Sequence, residues 1–130
     1  MAEQLFLIEI GDGVTIASDV MFLTHDYSIH NVLGSSTLFG RISIGDNCFI
    51  GARTIILPGV SVCNNVIVAA GSVVTKSVDK PYSIIGGNPA KEIGTWDKYR
   101  LKYEHNAISY DGSKEDLMNK IKSNGKLIEK

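Results

Sequence analysis

No apolar run in this sequence approaches the roughly 18 residues needed to cross a bilayer, so no membrane-spanning helix is expected. Charge of neither sign dominates. There are 13 Lys and Arg against 14 Asp and Glu, a formal net of -1, which excludes a dominant electrostatic attraction to nucleic acid. Residues through Ala90 carry four basic and seven acidic groups, and those from Lys91 onward nine and seven. That late excess reads as a solvated helical surface. Cysteine is scarce: Cys48 and Cys63 alone make no disulfide framework. The opening Met1-Ala2-Glu3-Gln4 lacks the basic n-region of a secretion signal, so a cytoplasmic protein is expected. A length of 130 residues favours one domain.

What the sequence has instead is a period. From Ile44 to Asp79 it divides into six blocks of six, beginning Ile44-Gly45-Asp46-Asn47-Cys48-Phe49. The first place is Ile or Val in every block: Ile44, Ile50, Ile56, Val62, Val68 and Val74. The fifth is small or β-branched: Cys48, Thr54, Val60, Val66, Ser72 and Val78. Gly, Asn, Asp and Pro fill the places between. Residues four apart on a strand share a face, so the first and fifth places point inward and the polar pair turns a corner. Gly and Asn tolerate the positive backbone angles a corner needs. A six-residue period of this kind marks a parallel β-helix, an all-β solenoid. Its coils stack at about 4.8 Å, and no coil buries its own face alone.

The same register begins earlier, with Ile10-Gly11-Asp12-Gly13-Val14-Thr15 and Ile16-Ala17-Ser18-Asp19-Val20-Met21, and Phe22 holds the next first place. Leu5 to Ile8 is apolar but out of register, and is expected to cover the open end of the stack. After Leu23-Thr24-His25-Asp26-Tyr27 the pattern breaks. An excursion loop over residues 26–41 follows, of a length that is uncommon in compact domains and tends to be functional. Ile42 and Ile44 re-enter the stack. Beyond the six strong blocks, Lys80 to Lys91 reads as a weaker closing coil, with Pro81 and Pro89 suited to an edge. The β-helix domain is thus placed at residues 1–93 and a partly helical tail at 94–130. Short helices are expected over Trp96–Glu104 and Lys114–Ser123, the second opened by a capping box at Ser113-Lys114-Glu115-Asp116 and carrying Leu117 and Ile121 on one face. Asn124-Gly125 stops it.

These blocks, Thr24-His25-Asp26-Tyr27-Ser28, the loop behind it and Asn88-Pro89-Ala90-Lys91 together resemble the hexapeptide-repeat acyltransferases, in particular the galactoside, maltose and polysaccharide O-acetyltransferases. The likeness runs from about Ile10 to Ile93. It implies a left-handed parallel β-helix, a homotrimer with sites between subunits, acetyl-CoA as donor, and a saccharide or other small-molecule acceptor. It implies no metal. His25 matches the family's catalytic base. Ala52, Ala70 and Thr75 match residues that meet the cofactor, Lys76 and Lys91 resemble basic residues near its phosphates, and Asn88 and Pro89 fall near its adenine. Asp26, Tyr27 and His30 are the acceptor-side candidates. The chemistry is coherent. An alcohol attacking a thioester must lose its proton, and an imidazole with an ordinary pKa of about 6.5 can take it and return it to the departing thiolate. The tetrahedral intermediate needs a donor, which a backbone N–H can supply.

Ordinary explanations compete. His25 alone is an unremarkable loop histidine, and its position at the break in the repeat is what favours catalysis. His105 and Trp96 read as tail residues, Trp96 as an anchor. Tyr27 and Phe39 flank the loop, where packing and a cleft explain them equally. Three functions stay open: an O-acetyltransferase, with N-acetylation of an amino sugar as its variant; a zinc enzyme of the gamma carbonic anhydrase kind, which needs three His ligands that this spacing does not offer; and a non-catalytic β-helix scaffold. Twenty-four residues precede His25, fewer than in the family's sugar acetyltransferases, which leaves the acceptor open.

Overall fold

The structure, a computed structural model, describes residues 6–123 and 125–130. The chain forms two compact units, Met1–Trp96 and Asp97–Lys130.

The first unit is a stack of short strands. Strands β1 (Ile8–Ile10), β2 (Thr15–Ile16) and β3 (Met21–Phe22) enter three different sheets. An excursion holds β4 (His25–Asp26), a 3-10 turn (Tyr27–Ile29), helix α1 (His30–Leu33) and β5 (Leu38–Phe39). The order then repeats through β6 (Ile42–Ile44), β7 (Phe49–Ile50) and β8 (Ile55–Ile56), and again through β9 (Ser61–Val62), β10 (Val66–Val68) and β11 (Val73–Val74). The first sheet is β1-β6-β9, the third is β11-β8-β3, and every pair in both is parallel. The second sheet joins β2, β7 and β10 to β12 (Ser83–Gly87) and β13 (Ala90–Thr95). Equivalent residues of neighbouring coils lie 18 apart, as Ser43 and Ser61 do. Across the excursion the spacing becomes 34, as between Asp12 and Asp46.

The two inward places of each block make the core. Ile44, Ile50, Ile56, Val62, Val68 and Val74 are buried, and so are Cys48, Thr54, Val60, Val66 and Ser72. Each buried Ile or Val stabilises the stack by about 1.5–3 kcal/mol relative to exposure. At the second place, two of the six blocks carry a glycine that the next coil crowds. Cβ atoms added at Gly45 and Gly51 would lie 2.6 Å from Asn64 N and 2.5 Å from Ala70 N, so only glycine lets these coils approach. Polar side chains close the corners between the first and second sheets. The Asp46 N–H donates to Asn64 Oδ1 (2.7 Å), and Asn47 Nδ2 donates to Asn65 Oδ1 (2.8 Å).

Two expectations are corrected. Ile8 is in register with the stack, pairing with Ile42, because its strand needs only an alternating face, not a whole hexapeptide. Phe6 is 72% exposed, so it does not cover the open end; Leu5 lies outside the described residues. Accordingly Ile10 and Ile16, inward residues of the first coil, remain 41% and 40% exposed. Second, Lys80 to Lys91 is not a closing coil. β12 adds parallel to β10, but the chain then reverses through a cis Asn88–Pro89 turn and returns as β13, antiparallel to β12. Cys63 is half-buried and packs against the core.

The outward rows differ between sheets. The first sheet shows Glu9, Ser43 and Ser61, the two serines hydrogen-bonded at 3.0 Å. The second shows Thr15, Phe49 and Ile67, and the third Met21, Ile55 and Val73.

The second unit takes up most of α2 (Trp96–Tyr103) and all of α3 (Lys114–Lys122). Ser113 caps α3, its Oγ accepting from the Asp116 N–H at 3.1 Å. The reciprocal half of the capping box is replaced. Asp116 accepts from the Asp111 N–H (3.0 Å), while the Ser113 N–H donates to Asp111 Oδ1 (2.7 Å). Ser113→Ala is expected to destabilise α3 by about 1 kcal/mol, seen as faster amide exchange in its first turn with no change in the first unit. Leu117 and Ile121 are both half-buried, as expected of one face. Asn124 lies outside the described residues.

Candidate active site

The excursion leaves the third sheet at one corner of the stack. The Leu23 N–H still donates to Ile56 O (2.9 Å), Thr24 is fully buried, and the Gly40 N–H closes the root on Thr24 O (2.9 Å). A Cβ on Gly40 would lie 2.5 Å from Gly59 N, so the root is clamped to the Pro58–Gly59 corner of the next coil. β4 and β5 form a two-residue antiparallel ladder, His25 opposite Phe39 and Asp26 opposite Leu38. It presents His25 half-buried, its ring 6.2 Å from that of Phe39. What the sequence shows as an irregular loop is therefore a hairpin with a helical tip.

Asp26 is engaged in its own turn. Its Oδ1 accepts from the Ser28 N–H at 2.8 Å and caps the 3-10 turn. Hydrogen bonds from Ser28, side chain first and backbone second, hold its carboxyl below the usual carboxylate range, and the charge of His25 adds a smaller lowering. A depressed folded pKa stabilises the turn above the ordinary carboxylate value, and that stabilisation is lost as the pH falls through the depressed one. The Ser28 amide is thus expected to lose exchange protection only at strongly acidic pH. In Asp26→Asn, which caps without titrating, that acid-dependent step should disappear.

Tyr27 stacks on His30 at 4.6 Å between ring centres and 19° between planes. Tyr27 is 56% exposed. His30 Nδ1 is shielded from solvent and has no hydrogen-bond partner among the described residues.

The remaining sequence-predicted residues fall on two places of the same stack. Ala52 and Ala70 occupy the corner between the second and third sheets in adjacent coils, linked by the Gly71 N–H to Ala52 O bond (2.8 Å). Thr75 and Lys76 follow β11 at the corner between the third and first sheets, the corner from which the His25 hairpin also leaves. Asn88 and Pro89 form the β12–β13 turn, held toward the Ala69–Ala70 corner by the Gly87 N–H to Ser72 Oγ bond (3.2 Å) and the Ser72 Oγ to Ala69 O bond (2.6 Å). Lys91 stands opposite Gly86 on β13. Lys76 and Lys91 line one cavity of ≈ 200 Å³, shared with the Lys80–Glu92 ion pair (2.9 Å). His25 and the Thr75–Lys76 corner thus lie on one side of the third sheet and the Ala52–Ala70 corner on the other, while Lys76 also lines a cavity with β12 and β13 that holds Lys80 and Lys91 beside Asp79 and Glu92. This set can deprotonate a hydroxyl or amine and hold an extended anionic ligand.

A wider concavity, ≈ 620 Å³, lies elsewhere, on the outer side of the first sheet among Glu9, Ser43, Ser61 and Asp79. It holds none of the predicted site residues and no basic group. An open, acid-rimmed face of this kind is a poor cradle for phosphates.

One residue escaped the sequence reading. Arg53 stands beside Ala52 with φ 59. The signal was in the blocks: it occupies the fourth place, which the other blocks give to Gly, Asn, Asp or, in the last of them, Ser77.

The family model described as the hexapeptide repeat of succinyl-transferase matches residues 41–76. The chain is 47% identical over 127 residues to protein CapG of Staphylococcus aureus, covering 92% of this chain and 73% of that one. It is similar in structure to a maltose O-acetyltransferase from Clostridium difficile 630, with 40% identity and a TM-score of 0.63 over 68% of this chain and 48% of the other. It is also similar to AntD, an N-acyltransferase from Bacillus cereus solved with dTDP and 3-hydroxybutyryl-CoA, with 26% identity and a TM-score of 0.60 over 75% of this chain and 57% of the other. The chain therefore spans only about half the length of the two enzymes of known structure.

Proposed function

Because the chain belongs to the hexapeptide-repeat acyltransferase family, we propose that it transfers the acetyl group of acetyl-CoA to a hydroxyl of a sugar or surface-polysaccharide precursor. The observation that carries this reading is the hairpin that holds His25 at the same corner of the stack as Thr75 and Lys76. His25 accepts the hydroxyl proton as the oxygen attacks the thioester carbonyl. The carbon–sulfur bond then breaks, and the imidazolium returns its proton to the thiolate. Attack is direct, so no acyl-enzyme forms. The Ala52 and Ala70 corners and Thr75 receive the donor, Lys76 and Lys91 face its phosphates, and Asn88–Pro89 lies at its adenine end. Asp26, Tyr27 and His30 lie on the acceptor side.

The three-sheet stack is a left-handed β-helix in this reading, and the active form a homotrimer with sites between subunits. The apolar outward row of the third sheet, and Phe49 and Ile67 on the second, support assembly, since solvated sheet faces are ordinarily polar. Use of acetyl-CoA places the reaction in the cytoplasm. N-acylation of an amino sugar is the second reading, supported by the likeness to AntD. Release of coenzyme A thiol from acetyl-CoA is measured across a panel of sugars and amino sugars, with light scattering for the subunit count. Acceptor-dependent thiol release is expected, and the better acceptor separates O- from N-transfer. Failure to bind acetyl-CoA at all overturns the proposal in favour of a non-catalytic scaffold.

A further inference from the structure

In seven blocks, two before the excursion (residues 10–21) and five after it (residues 44–73), the fourth residue has a positive φ: Gly13, Asp19, Asn47, Arg53, Gly59, Asn65 and Gly71. That conformation drives Cβ toward the following carbonyl oxygen, and Gly, Asn and Asp are the residues that tolerate it. Six of the seven are of those types. Arg53 is the exception, at φ 59.

Nothing local accounts for it. The bond that fixes its corner, from the Arg53 N–H to Ser18 O (2.9 Å), is made by backbone and would serve any residue. The side chain is exposed. It forms no ion pair within 4.0 Å among the described residues, Asp19 one coil earlier in the same column included. An unfavourable backbone position has thus been given to a residue whose side chain neither caps a turn nor pairs. Strain retained in this way points to a ligand. There is room for one: Gly71, next in the column, has nothing within 4 Å of an added Cβ.

We propose that Arg53 binds a phosphate group of a ligand lying along the corner between the second and third sheets. The planar guanidinium suits phosphate because it donates two parallel N–H bonds. The inference rests on the acetyl-CoA reading to the extent that Ala52 and Ala70, on this corner, are placed against the donor. Two sources present the same chemistry: the phosphates of coenzyme A, and the diphosphate of a nucleotide-linked sugar acceptor.

The test is calorimetric titration of the native protein, Arg53→Asn and Arg53→Gln with coenzyme A, 3′-dephospho-coenzyme A and UDP, each variant also being melted. Arg53→Asn is expected to melt at or above the native temperature, because asparagine tolerates the corner better. Yet it should bind the phosphate ligand roughly tenfold more weakly, the scale of one bidentate pair. Arg53→Gln keeps the backbone cost, loses the charge, and should weaken binding equally. A loss confined to coenzyme A assigns its 3′-phosphate, an equal loss with both coenzyme forms assigns the donor's diphosphate, and a loss with UDP alone assigns the acceptor. Unchanged affinity of both variants for all three ligands overturns the proposal. Native protein that binds UDP but neither coenzyme form would overturn the donor reading, and Arg53 would then stand or fall on the UDP column. Native protein that binds none of the three overturns both.

Discussion

His25→Ala is expected to lower acetyl transfer by about 10²–10⁴-fold, the range that a positioned general base contributes. The loss should fall on turnover. The ladder that carries His25 is held by backbone pairing with β5 and by the Gly40–Thr24 bond at its root, and neither uses the imidazole. The variant should therefore melt within a few degrees of the native protein, and titration should show coenzyme A affinity changed by no more than about twofold. Those two controls separate a chemical role from a structural one. A variant that folds, binds coenzyme A and still transfers acetyl at the native rate would remove His25 from the mechanism. His30 would then be the next histidine to test, since it stands on the same excursion and keeps one shielded nitrogen without a partner among the described residues.

Gly51→Ala should produce the largest loss of stability. The added methyl would lie 2.5 Å from Ala70 N, 2.7 Å from Val68 O and 2.8 Å from Ala69 C. All three are backbone atoms of the next coil, so no flexible side chain can move aside. Relief requires the two coils to separate, which stretches the Gly51 N–H to Val68 O bond (2.8 Å) and opens the aliphatic column on either side. A cost of about 3 kcal/mol is expected from overpacking, enough to halve the reserve of a marginal domain. Gly59→Ala is the control. Gly59 has φ 89 but nothing within 4 Å of an added Cβ, so its cost is that of the backbone angle alone, about 1–2 kcal/mol. Chemical denaturation of both variants checks the order. If Gly51→Ala proves the milder of the two, close approach of the coils is not what the second place protects.

The period carried most of the fold. The first and fifth places follow directly from alternation on a strand, and the buried set from Ile44 to Val74 is the set that the blocks pick out. The break after Tyr27 was equally plain, because a repeat advertises its own interruption. The inside of the interruption was not. Its short ladder depends on His25 meeting Phe39 and Asp26 meeting Leu38 across a turn with no hairpin signature, and the bonds that root it run to Gly40 and the Pro58–Gly59 corner. The closing segment misled for a related reason. Lys80 to Lys91 keeps the glycines and prolines of a coil, but direction is a property of pairing, and β13 pairs backward on β12 instead of advancing.

At the site, the histidine was legible because its place beside the break is a matter of chain order. The grouping of Lys76 with Lys91 was not, since their shared cavity exists only once β13 has folded back. Arg53 shows the same division within one residue. Its identity as the odd fourth residue lies in the sequence, whereas its positive φ, its lack of an ion pair among the described residues and the open space beside Gly71 belong to the stacked coils. What the sequence determined by itself is what repeats locally: which residues face inward, where the corners fall, and where the chain leaves the stack. The tertiary structure alone decided which corners share a column, which way the last strand runs, and which charged groups face one cavity. Those are relations that only folding creates, between residues 18 or 34 apart where coils stack, and they are fixed by backbone pairing and coil contact, which no local pattern encodes.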